Sequence, residues 1–113
     1  MPSAEELAAL QQLCAGAKVM TESDSVYIFL PALKLPVGCI PREVDALLRI
    51  KSPLADYPTR LFFQAQVACP KPLNWNSLNV SILQRNWFAY SWKDVPADRP
   101  PIELVAEHLR ALV

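Results

Sequence analysis

Three cysteines, one histidine and a scatter of hydroxyls and carboxylates are the side chains through which this 113-residue chain could do covalent or metal chemistry. Cys14, Cys39 and Cys69 are widely spaced and form no Cys-x-x-Cys, and His108 does not complete a zinc set with them. They read as reduced thiols of a cytosolic protein, most simply as buried filler. Cys69 is the exception to weigh. It follows a strand-like run, Arg60 to Val67, and precedes Pro70, Lys71 and Pro72. A thiol at a strand end beside a lysine can have a lowered pKa and act as a nucleophile. The competing reading is a small hydrophobe that closes the strand. His108, in Glu107-His108-Leu109, falls off the apolar stripe of its segment and reads as an exposed imidazole rather than a catalytic base. Gly16 and Gly38 are isolated, so no glycine loop can cradle a phosphate. The acids suggest no pair of the kind glycosidases use. No cofactor and no metal are expected.

The composition narrows the classes further. Hydrophobic residues make up 52% and charged residues 19%, which excludes disorder. Basic and acidic residues balance at 11 each, so the totals carry no footprint of a nucleic-acid module. The apolar runs fall short of the roughly 20 residues of a membrane span, and the N-terminus lacks a signal-peptide pattern. The expectation is one soluble, cytoplasmic domain over residues 1–113, binding neither nucleic acid nor membrane. Charge is unevenly spread, with a net of −3 up to Asp24 and +4 from Lys34 to Arg85. That polarity either steers an acidic partner or is a solvated surface. Eleven prolines against two glycines imply rigid, extended connections.

The elements that must position these residues follow from periodicity. Ser3 and Glu6 have capping-box spacing, and Leu7, Leu10, Leu13, Cys14 and Ala17 recur at helical intervals. A helix is predicted from about Ala4 to Ala15, with Gly16 near its end. Lys18–Thr21 and Val26–Leu30 read as strands around a polar turn, Glu22 to Ser25, with Pro31 cutting the second. Pro31 to Pro41 reads as an edge strand or extended arm. Val44–Ile50 is a strand with a helix as the alternative, and Ser52–Pro58 a loop. Arg60–Val67 alternates as a strand with one wetter face. Cys69 to Pro101 holds Trp75, Trp87 and Trp92 but no long periodic element. Ile102, Val105, Ala106, Leu109 and Leu112, after Pro100 and Pro101, mark a terminal helix. The fold class is α+β: a four-stranded antiparallel meander with an N-terminal and a C-terminal helix packed on it.

That order resembles the ubiquitin-conjugating-enzyme (UBC) fold. Leu47-Leu48-Arg49-Ile50, leading through Leu54 to Tyr57-Pro58, is similar to the family's strand-then-Tyr-Pro signature. Cys69-Pro70-Lys71 stands where the family has His-Pro-Asn. Ten residues on, Asn79-Val80-Ser81-Ile82-Leu83, followed by Gln84, Arg85, Asn86 and Trp87, has the spacing of the family's active-site stretch. Asn79 holds the nucleophile's place, and Lys71 replaces the asparagine that serves the oxyanion.

The resemblance implies a compact bacterial UBC-like component of a ubiquitin-like conjugation pathway, with a ubiquitin-like protein and its activating enzyme as partners. Such a domain carries its cargo as a thioester and needs a thiol plus oxyanion donors. Asn79 cannot form the acyl intermediate. Either Cys69 has taken over, or Ser77 or Ser81 forms an oxyester, or the domain is an inert adaptor of UBC or RWD type. Asn74, Asn76 and Asn79 are then candidate donors, or turn and capping residues. Trp75 is expected in a loop beside the ubiquitin-like tail, or roofing the core. Trp87 is expected to be buried against the terminal helix.

Overall fold

The Ser3 hydroxyl accepts the Glu6 amide at 3.1 Å, and the Ser3 amide donates to the Glu6 carboxylate at 2.8 Å. This reciprocal cap starts helix α1 (Ala4–Leu13), as the spacing foretells. A computed structural model describes residues 2–51, 58–92, 95 and 98–113. Leu54 and Tyr57 of the strand-then-Tyr-Pro pattern lie outside the described residues, as does all of the Ser52–Pro58 loop but Pro58. Leu10 of α1 is fully buried, whereas Leu13 is 45% exposed and does not join the core stripe.

Strands β1 (Lys18–Glu22), β2 (Ser25–Lys34), β3 (Glu43–Lys51) and β4 (Arg60–Phe63) form the expected antiparallel meander. The sheet does not stop there. The segment that carries no obvious period folds as a hairpin, β5 (Trp75–Ile82) and β6 (Arg85–Tyr90). β6 pairs with β4, giving an antiparallel sheet of six strands in the order β1-β2-β3-β4-β6-β5. The hairpin escapes sequence reading because its two-residue turn is Leu83-Gln84, both at positive φ (52° and 64°). That backbone matches a type I′ turn, whose usual sign is Asn-Gly.

Pro31 does not end β2. β1 begins at Lys18, opposite Phe29, so no neighbouring strand on that side asks Pro31 for an N–H. On the other side a bulge between Leu30 and Leu33 puts Ala32 at φ 51°, and its amide donates to Asp45 at 2.9 Å. Beyond Phe29 the strand pairs with β3 alone, so the expected edge strand is present as far as Lys34, as the continuation of β2. Likewise β4 has no wetter face. All four residues from Arg60 to Phe63 are buried, because the strand lies between β3 and β6 with a hydrophobic cluster on each side.

The two clusters divide the chain's interior. On one face α1 and helix α2 (Pro101–Leu109), with its 3₁₀ extension Arg110–Leu112, cover Ile28, Leu30, Ala46, Leu48, Leu61, Phe63 and Tyr90. The buried stripe of α2 is Pro101, Leu104, Val105 and His108, rotated from the predicted one, while Ile102 and Ala106 are exposed. On the other face Tyr27, Leu47, Phe62, Ile82, Trp87 and Ala89 form a second cluster, against which Phe29, Val80 and Leu83 pack. Trp87 is 1% exposed, but it lies here, across the sheet from the terminal helix rather than against it. The Leu83 amide donates to the Glu22 carboxylate, so the β5–β6 turn meets the end of β1. The sheet curls, and this second cluster fills its inner face.

Candidate functional site

The residues singled out by the resemblance are dispersed. Cys69 is half-buried and packs on the helix-side core. Burial, and then the Cys39 thiol beside it, push its pKa up to about 12, so the thiol is protonated at neutral pH. Lys71, the expected source of a lowered pKa, instead holds its ammonium over the Trp92 ring at 5.7 Å. Asn74 is exposed, and its carbonyl accepts the Ser91 amide at 2.7 Å. Trp75 is the first residue of β5, not part of a loop, and its ring meets Phe63 at 6.3 Å and Tyr90 at 5.8 Å on the helix side. Asn76 accepts a hydrogen bond from the Arg60 guanidinium. Asn79 is exposed on the outermost strand at φ 54°, where the ladder shifts register between Ser77 and Val80. Asn74, Trp75, Asn76 and Asn79 thus lie along β5 or just before it. Cys69 lies apart, next to Cys39.

His108 is not exposed. It is 1% accessible, and its Nε2 lies 2.9 Å from the Thr59 hydroxyl. Burial lowers its pKa to about 4. Among the described residues no three His, Cys, Asp or Glu side chains converge as metal ligands.

Chemistry of another kind gathers on the inner face of the sheet. Lys18, Met20, Phe29, Leu47, Leu83, Arg85 and Trp87 line an open cleft of about 100 Å³. Its walls follow from register: Lys18 pairs with Phe29, Phe29 with Leu47, and strand alternation sends all three to the same side. Phe29 and Trp87 meet edge to face at 6.5 Å, and the Trp87 indole N–H donates to the Ile82 carbonyl at 3.0 Å. The Arg85 guanidinium covers both rings, 5.0 Å from Trp87 and 5.3 Å from Phe29, and bonds Asp45 at 3.0 Å. The Ala32 amide, more than Arg85, holds the Asp45 carboxyl below the usual range, against a smaller effect of burial. Lys18 stands 6.0 Å above the Phe29 ring, at the rim. The floor is apolar and the rim cationic.

One register step from the cleft, Arg49 and Arg60 face each other as direct cross-strand partners, and each is only 7% exposed. Both guanidiniums lie over Phe62, at 5.3 and 5.7 Å. Among the described residues, Nε and Nη2 of Arg49 find no hydrogen-bond partner, and both are buried. Like charges opposite each other in a sheet repel, and a buried N–H without an acceptor is costly. The inner face therefore concentrates positive potential.

The excess of bases from Lys34 to Arg85 signalled this face, but it did not point to Lys18, Phe29 or Trp87 as a group. They come together only when β1, β2 and β6 share one curled sheet. No family model, curated protein or solved structure matches the chain.

Proposed function

We propose that the chain is a protein-binding domain that carries no covalently attached ubiquitin-like protein, an adaptor of the UBC or RWD type. Its helix-free sheet face takes an apolar side chain of the partner with an acidic group beside it. The observation that carries this reading is the cleft between Phe29 and Trp87, apolar at its floor and bordered by Lys18 and Arg85. Arg85 is partly neutralised by Asp45, whereas Lys18 has no ion-pair partner among the described residues, which leaves a site complementary to a carboxylate. Aromatic rings and arginines are the side chains that most often anchor interfaces. The partner class is that implied by the UBC resemblance, a ubiquitin-like protein or its activating enzyme. A carrier of that protein would need an accessible thiolate, and the protonated state of Cys69 favours the adaptor over the carrier.

Two measurements test the reading. Intact mass analysis after incubation with activating enzyme, ATP and ubiquitin-like protein should show no covalent adduct; an adduct at Cys69 would restore the carrier. Short peptides pairing leucine with aspartate should quench or shift tryptophan fluorescence, and the same peptides with lysine for aspartate should not. Lys18→Glu should weaken that binding several-fold at unchanged thermal midpoint, and equal binding of both peptides would reject the cleft as an acidic-partner site.

A further inference from the structure

Cys39 and Cys69 are 30 residues apart in sequence, yet the fold sets them face to face. Outside the regular strands, Ile40 and Ala68 form an antiparallel bridge, each amide donating to the other's carbonyl, at 2.7 and 2.9 Å. A reciprocally bonded pair is flanked by a pair that exchanges no backbone bonds, whose Cα atoms approach to about 4.5 Å. Cys39 and Cys69 are that flanking pair. Side chains directly opposite in an antiparallel ladder point to the same side, and this spacing falls within the range a disulfide spans.

Two further contacts hold the segments together. The thiols of Cys39 and Cys69 are near enough for each to influence the other's protonation. Gly38 lies so close to Pro70 that a Cβ there would come within 2.7 Å of the proline ring, and only glycine permits that approach at φ 97°. Cys39 is buried and Cys69 half-buried, so one sulfur of the pair is within reach of solvent and the other is sheltered behind it.

We propose that Cys39 and Cys69 are a reversible dithiol–disulfide pair, closed by a two-electron oxidant of the peroxide class and reopened by a dithiol reductant. In the first step the Cys69 sulfur attacks a peroxide oxygen, the O–O bond breaks, and Cys69 becomes a sulfenic acid as one water leaves. In the second the Cys39 sulfur displaces the hydroxyl from the Cys69 sulfur, and the S–S bond forms with loss of a second water. Two electrons pass from the sulfurs to the peroxide, and the two thiol protons leave in the waters. Because the Cys69 thiol is held protonated, closure is slow at neutral pH and quickens as pH rises. The pair lies on the helix side of the sheet, so it stands independently of the cleft.

The test uses the full chain treated with hydrogen peroxide at pH 7 and pH 9, followed by peptide mass mapping without reductant. The expected product is monomeric, lighter by two hydrogens, with one cross-linked peptide joining Cys39 to Cys69 and Cys14 left as a thiol. Dithiothreitol should reverse it, formation should be faster at pH 9, and the oxidised protein should melt several degrees higher than the reduced one. Cys39→Ser should divert Cys69 to sulfinic acid, a gain of oxygen in place of the loss of hydrogen. A wild-type chain that accumulates sulfinic acid at Cys69 while Cys39 stays free, that links through Cys14, or that does not react at pH 9 would overturn the proposal.

Discussion

The Thr59 hydroxyl donates to the Val95 carbonyl at 2.8 Å and lies 2.9 Å from Nε2 of His108, which fixes the imidazole's tautomer. A hydroxyl has one proton. With that proton spent on Val95, Nε2–H must be the donor to Thr59. Burial pulls the His108 pKa down to about 4, with Arg60 adding to the effect and Glu107 opposing it. In the unfolded chain the ring titrates near pH 6.5. The folded state then binds fewer protons between those values. The contribution of His108 is complete above about pH 6.5, declines as pH falls toward 4, and levels off below, a loss of roughly 3 kcal/mol in all. Urea unfolding between pH 7 and 5 should show this decline before the carboxylates titrate. His108→Gln should flatten it, and a wild-type curve that is already flat in that window would contradict the burial.

Truncation of the two tryptophans separates the clusters. Trp87→Ala removes a fully buried ring and its hydrogen bond to Ile82, and should cost about 3–5 kcal/mol. Trp75→Ala removes a half-buried ring at the start of β5 and should cost no more than roughly half as much. Chemical denaturation gives both values, and a larger loss for Trp75 would mean the inner cluster is not a core.

Arg49 predicts a gain. Its Nε and Nη2, unpartnered among the described residues, and its repulsion of the Arg60 cation opposite are removed by Arg49→Met, which keeps much of the side chain's length over Phe62. Stability should rise by about 1 kcal/mol or more. A loss of similar size would show that the guanidinium's packing outweighs its desolvation.

The Leu83-Gln84 turn offers a second gain. Gln84 pays for its side chain with a left-handed backbone, and Leu83 is needed where it is because it packs on the inner cluster. Gln84→Gly should therefore raise the thermal midpoint, by a change worth roughly 0.5–1 kcal/mol. An unchanged or lower midpoint would mean that the lost chain entropy exceeds the relieved strain.

Much of the first half of the fold is legible because its signals are local. Ser3 with Glu6, the polar turn from Glu22 to Ser25, and the apolar run of β3 each need only their neighbours to be read. What stays hidden depends on partners distant in sequence. Pro31 looks like a strand breaker until β1 is seen to start opposite Phe29. His108 looks exposed because it falls off the apolar stripe read from the sequence, and the Thr59 hydroxyl that makes its burial tolerable is 49 residues away. Cys39 and Cys69 carry no pairing motif, and only the Ile40–Ala68 bridge brings them together. The cleft was foreshadowed by charge alone, since its aromatic walls come from β2 and β6.

The contact between Glu22 and Leu83 spans 61 residues, and its consequence is kinetic. β1 to β4 can pair in sequence through local hairpins. The inner cluster cannot close until the last hairpin has arrived, because Ile82, Trp87 and Ala89 supply half of its buried residues. Non-local closure of this kind slows folding, since loop entropy is lost before the contacts that offset it are made. On the ribosome, Tyr27, Leu47 and Phe62 would emerge with their inner side uncovered and wait for the C-terminal quarter of the chain. The same apolar face that later shapes the cleft is, in the nascent chain, the surface most in need of a chaperone.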